Sequence, residues 1–170
     1  ESNHKTIINA LKGQKHNETM AQSLSKVYIH LIFHIRTTSP MIRDEELERV
    51  HSYIGQLVNT TGSRVIRVGG TCDHVHILFL LSRNGCISNV VEETKRNSSR
   101  WIKSIDPHYG MFAWQGGYGV FSVSQSMVDK TLKYIERQRE HHQKLTFEDE
   151  YIEFLKLYDI EYDEKYVFSD

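Results

Sequence analysis

The stretch Thr71-Cys72-Asp73-His74-Val75-His76-Ile77-Leu78-Phe79-Leu80-Leu81 restricts this chain's folding more than any other. Gly69 and Gly70 precede it and its residues are β-branched and aromatic, so it predicts a strand entered through a tight turn. Side chains alternate along a strand. Val75, Ile77, Phe79 and Leu81 therefore need a buried face, while His74 and His76 project together from the other. Val27 to Arg36 obeys the same rule. Val27, Ile29, Leu31, Phe33 and Ile35 share one face; Tyr28, His30, Ile32, His34 and Arg36 share the other.

The remaining segments supply what can cover the apolar faces. Asp44 to Thr61 places Leu47, Val50, Ile54, Leu57 and Val58 at helical spacing, with Asp44 at the N-cap position and Gly62 as a stop. Arg64 to Val68 reads as a short strand and Gly69 to Asp73 as the turn, making an antiparallel hairpin with His74 to Leu81. Ser88 opens a second helix with Val90, Val91, Trp101, Ile102 and Ile105 near one side, and Asp106-Pro107 ends it. Gly119 to Val123 alternates as a fourth strand, and Ser126 with Asp129 predicts a helix running to about His142. The order β-α-β-β-α-β predicts an α+β, ferredoxin-like fold, with two helices covering one face of a four-stranded antiparallel sheet. His74 and His76 then lie on the open face. An additional C-terminal helix carrying Tyr134 is its natural cover, with Lys130, Tyr134, Gln138 and His141 on one stripe.

A length of 170 residues suits one domain. The formal net charge of -1 hides a division: residues 26–144 carry 16 basic and 11 acidic side chains, residues 145–170 carry 2 and 9. A mildly basic body with an acidic tail is compatible with nucleic acid. Two cysteines, Cys72 and Cys86, are too few for a disulfide framework and fit a reducing compartment. No apolar run long enough to span a membrane and no signal-peptide pattern are present, so a cytoplasmic protein without a membrane partner is the expectation. Residues 1–25 read as a disordered leader or tag-like extension, 26–145 as the folded body, and 146–170 as an acidic tail. The tail's Tyr151, Ile152, Phe154, Leu155 and Tyr158 form the apolar stripe of a short amphipathic helix behind a Thr146-x-x-Asp149 start, followed by an extended aromatic segment ending in Tyr166-Val167-Phe168, and must pack on the body or a partner subunit.

Two imidazoles on one strand face are half of a metal site, and by themselves more often a half-buried or surface polar pair. Tyr134 and Gln138, four residues apart on a helix, offer a phenol and an amide to the same place. His74-Val75-His76 on a strand, Tyr134-x-x-x-Gln138 on a helix and Trp114-Gln115-Gly116-Gly117-Tyr118 between them together resemble the single-tyrosine HUH transposases of bacterial insertion sequences, the IS200-like family. The resemblance runs from about Lys26 to Lys144. It implies a metal-dependent enzyme that cuts and rejoins single-stranded or hairpin DNA. Tyr134 would be the nucleophile forming a 5′-phosphotyrosine link, and His74, His76 and Gln138 would hold Mg²⁺ or Mn²⁺. A homodimer whose tyrosine helix serves either subunit, action at the nucleoid and no nucleotide cofactor follow from the same resemblance. DNA contacts are expected from Lys95, Arg96, Arg100, Lys103, Trp114, Tyr118 and Lys130. The bland alternatives are a solvated helix face for the basic residues and a core position for Trp101.

Three other readings compete. A phosphohydrolase with a His-x-His-x-His signature is excluded by Leu78 at the third position. A structural zinc protein would use Cys72, His74 and His76 as ligands from one strand face. A domesticated relative would bind and nick hairpin DNA without transposing it.

Overall fold

The structure is a computed structural model and describes residues 24–138, 146–163 and 167–168. Strands β1 (Tyr28–His34), β2 (Arg64–Gly70), β3 (His74–Leu80) and β4 (Gly119–Val123) form one antiparallel sheet in the order β2-β3-β1-β4. Helices α1 (Asp44–Thr60) and α2 (Ile87–Ile105) are the crossovers, and this is the split βαβ arrangement the element order predicts. Beyond β4, a short 3₁₀ turn at Gln125–Met127 leads into α3 (Val128–Glu136), and the tail forms α4 (Phe147–Leu157).

Register sorts the side chains. His34 pairs with His74 and Ile32 with His76, so the even-numbered residues of both central strands share one face. The odd-numbered residues Ile29, Leu31, Phe33, Val75, Ile77 and Phe79 face the other way and merge with Leu47, Val50, Ile54 and Val58 of α1 and Val90, Val91 and Ile102 of α2. Each such fully buried aliphatic or phenyl side chain stabilises the fold by roughly 1.5–3 kcal/mol. Trp114 belongs to this core: its ring stands edge-on to Phe33 and Phe112, and its indole N–H donates to Ser98 Oγ at 2.9 Å.

The histidine face is covered from two sides. α3 lays Val128, Leu132 and Ile135 against Leu78, Leu80 and Ile66, while α4 lays Phe147, Tyr151 and Leu155 against Ile32 and Phe121. Both pack on their own sheet. Gly119 is where the tail seats most closely, because a β-carbon there would stand 2.8 Å from the Tyr151 ring.

Several local expectations change. β2 runs on to Gly70, past the expected end at Val68. Gly70 adopts φ +145°, and a β-carbon there would meet the His74 carbonyl oxygen at 2.3 Å, so only glycine closes this turn. Asp44 is not the N-cap of α1: Arg43 holds that place, and Asp44, Glu45 and Glu46 form an acidic first turn that suits the helix dipole. Cys86, not Ser88, precedes α2. α3 stops at Glu136, where Arg137 leaves helical geometry. The expected continuation to His142, the stripe position of His141, the leader over 1–23 and Tyr166 lie outside the described residues.

Candidate metal centre and nucleophile

The turn closed by Gly70 delivers His74 to the first position of β3, and the two-residue period of the strand puts His76 beside it. Both are buried, at 1% and 0% exposure. Each has its Nδ1 engaged. His74 Nδ1 lies 2.7 Å from Asp73 Oδ1, which Thr71 Oγ1 also bonds at 2.7 Å. His76 Nδ1 lies 3.0 Å from His30 Nε2, with the two rings stacked. The Nε2 atoms therefore turn inward.

Two oxygen donors meet them there. Gln138 Oε1 stands 3.2 Å from His74 Nε2, and Gln138 Nε2 donates to Glu150 Oε1 at 2.9 Å. Glu150 Oε2 stands 3.9 Å from His74 Nε2 and 3.7 Å from His76 Nε2. The ligand atoms of His74, His76 and Glu150 all lie within 4.8 Å of one another. Burial pushes the Glu150 carboxyl up to about 7, with the His74 charge opposing the shift. Burial, and then the neighbouring His76, hold His30 well below the usual imidazole range.

This donor set fits a divalent cation. Two imidazole nitrogens with a carboxylate and an amide oxygen are a mixed nitrogen and oxygen set of the kind such ions take. Partners on Nδ1 leave Nε2 as the ligating atom of each histidine. A positive ion would also offset the burial of the Glu150 carboxylate. The zinc reading loses its sulfur: Cys72 Sγ turns to Met41 Sδ at 3.8 Å and stands apart from the cluster.

Tyr134 stands next to this cluster on α3. Its ring is edge-on to His76 at 5.8 Å, to His30 at 6.4 Å and to Phe154 at 5.6 Å. It lines a cleft of about 250 Å³ together with His30, Lys130, Glu150, Phe154 and Tyr158. Lys130, exposed one helical turn before Tyr134, is the basic residue that shares this cleft. The other basic candidates stand on α2, in the layer packed on the opposite sheet face. There Arg96 pairs with Glu92 and Glu93, while Arg100 and Lys103 are exposed. Lys95 donates to the carbonyls of Gln115, Gly116 and Gly117 at 2.6, 3.3 and 2.7 Å, so its ammonium anchors the loop. Tyr118, on that loop, is 43% exposed and presents a ring, whereas Trp114 at 6% has its ring inside the core.

Sequence reasoning missed Glu150. One signal was available: it falls three residues after Phe147 and four before Phe154, a carboxylate on the apolar stripe of an amphipathic helix.

Known proteins give the same picture of the fold. A candidate transposase from Deinococcus radiodurans R1, solved by crystallography, superposes with a TM-score of 0.55 at 23% identity, over 71% of this chain and 97% of its own. The structure of a REP-associated tyrosine transposase bound to a REP hairpin superposes with a TM-score of 0.55 at 11% identity, over 74% of each chain. No curated protein matches the chain in sequence. Residues 23–138, the segment that contains His74, His76, Tyr134 and Gln138 but not Glu150, match the family described as Transposase IS200 like. That segment is well over half of the chain, and the chain belongs to the IS200-like transposase family.

Proposed function

We propose that this protein cuts and rejoins single-stranded DNA through a covalent link to Tyr134, with Mg²⁺ or Mn²⁺ held by His74 and His76 together with Gln138 and Glu150. The observation that carries the reading is the nearness of the Tyr134 ring to this buried cluster, 5.8 Å from the His76 ring, in a chain of this family. When bound, the cation supplies Lewis-acid polarisation of the phosphoryl oxygens, and imidazole ligands tilt the preference towards Mn²⁺.

The phenolic oxygen of Tyr134 forms a bond to phosphorus as the bond from phosphorus to the 3′ oxygen breaks. The products are a 5′-phosphotyrosine and a free 3′-OH, which takes up the proton the phenol gives away. Attack by a second 3′-OH reverses these steps and releases Tyr134. One phosphodiester is exchanged for another, so no nucleotide cofactor is consumed. Lys130 in the cleft is suited to a backbone phosphate and exposed Tyr118 to an unpaired base.

Hairpin DNA is the form of substrate we favour. Support comes from the solved neighbour bound to a REP hairpin and from the basic balance of residues 26–144. We also propose a homodimer acting at the nucleoid. Leu157, Tyr158, Ile160 and Met127, between 38% and 76% exposed, leave apolar surface uncovered at and beside the Tyr134 cleft.

The test is a denaturing gel with labelled single-stranded DNA from the flanks of the protein's own gene, with and without Mn²⁺. Wild type is expected to give a covalent, Mn²⁺-dependent shifted band. Tyr134→Phe keeps ring packing, so it should bind the DNA and give no adduct. An undiminished band from Tyr134→Phe would move the nucleophile elsewhere.

A further inference from the structure

We infer that His30 is a positioning residue of the metal centre, holding His76 in the tautomer that leaves Nε2 of His76 unprotonated. This rests on the metal reading above. His30 lies on β1 and His76 on β3, diagonal neighbours on one sheet face, since Ile32 pairs with His76 and His30 with Leu78. Their rings stack with centroids 5.1 Å apart, and His30 Nε2 meets His76 Nδ1 at 3.0 Å.

That contact holds one proton. If His30 donates it, a neutral His76 carries its own proton on Nε2, aimed at Glu150 and at the space a cation needs, and cannot ligate. If His76 donates from Nδ1, its Nε2 lone pair points into the cluster. Only the second arrangement makes His76 a ligand. His74 solves the same problem with Asp73, a carboxylate that accepts whatever the tautomer. His30 does so only as an acceptor at Nε2, with its own proton on Nδ1. At 2% exposure its ring is part of the built site, and it also lines the Tyr134 cleft, so one side chain touches both the metal ligand and the surroundings of the nucleophile.

The experiment uses the full chain and Mn²⁺ alone as probe. His30→Phe keeps an aromatic ring and removes the acceptor; His30→Gln restores one. Mn²⁺ affinity by calorimetric titration is expected to fall about 10–100-fold in His30→Phe and to recover largely in His30→Gln. Nitrogen-15 spectra of metal-free, histidine-labelled wild type should show His76 protonated on Nδ1. His30→Phe with wild-type affinity, or wild-type His76 protonated on Nε2, overturns the inference. Should His30→Phe fail to fold, the wild-type tautomer and the affinity of His30→Gln decide between the same two results. A His74→Ala, His76→Ala double variant separates the two readings. If it binds Mn²⁺ as wild type does, the metal centre itself is wrong and His30 has nothing to position; if it does not bind and His30→Phe does, only the role of His30 falls.

Discussion

Glu150 places a carboxylate, 6% exposed, beside two imidazoles and an amide, and such a group destabilises the empty site when it is ionised. Replacing it by Gln is therefore expected to leave the melting temperature of the metal-free protein equal to or above wild type. It should also shrink the gain on adding Mn²⁺, which at about 100 times Kd is roughly 2.7 kcal/mol for wild type. Scanning calorimetry with and without Mn²⁺ decides; an equal Mn²⁺-induced rise in both proteins would remove Glu150 from the ligand set. At this scale His74 and His76 were legible because a strand has a fixed period of two. Tyr134 and Gln138 were legible as a pair at helical spacing, even though α3 ends between them at Glu136. Glu150 was not, since its approach to His74 depends on a segment 76 residues away along the chain; His30 was legible as a histidine on the even-numbered face of the first strand, but its bond to His76, 46 residues on, was not.

Elements are held over the site by close seats that exclude side chains. Gly119→Ala puts a β-carbon 2.8 Å from the Tyr151 ring, so the ring or α4 must shift. We expect a loss of about 1–3 kcal/mol, the usual cost of overpacking, measured by denaturant unfolding. Shortening the partner in a Gly119→Ala, Tyr151→Leu double variant should cost less than the sum of the single changes; strict additivity would mean that the two do not touch. On the opposite layer, Lys95 ties α2 to the Gln115–Gly117 loop, and burial lowers its ammonium to about 8. Because the folded pKa lies below the unfolded one, the unfolded chain holds more protons between pH 8 and about 10.5, and Lys95 makes stability rise with pH across that window. Lys95→Met should lose this rise. Denaturation midpoints of both proteins at several pH values check the sign, and a steeper rise in the mutant would contradict it. The central strands and crossover helices were readable from alternation and helical spacing, whereas the ends moved: neither Asp44 nor Ser88 caps its helix, and β2 reaches Gly70.

For the whole molecule, the tail finds burial on its own sheet through Phe147, Tyr151 and Leu155, while Leu157 stays 76% exposed. Light scattering at micromolar concentration is expected to report about twice 19.9 kDa; a mass near 19.9 kDa would count against the dimer. Among the described residues no helix is long and apolar enough to cross a membrane. By itself the sequence determined the alternating strands, the two crossover helices, the ferredoxin-like order and the histidine pair, because each follows from a short repeat or from the order of the elements. Only the tertiary structure decided that α4 lies over the histidine face, that Glu150 reaches His74 and His76, that His30 bonds His76, and that Trp114 and Lys95 serve core and loop. Those are contacts between segments distant along the chain, and they are set by which apolar faces pack together.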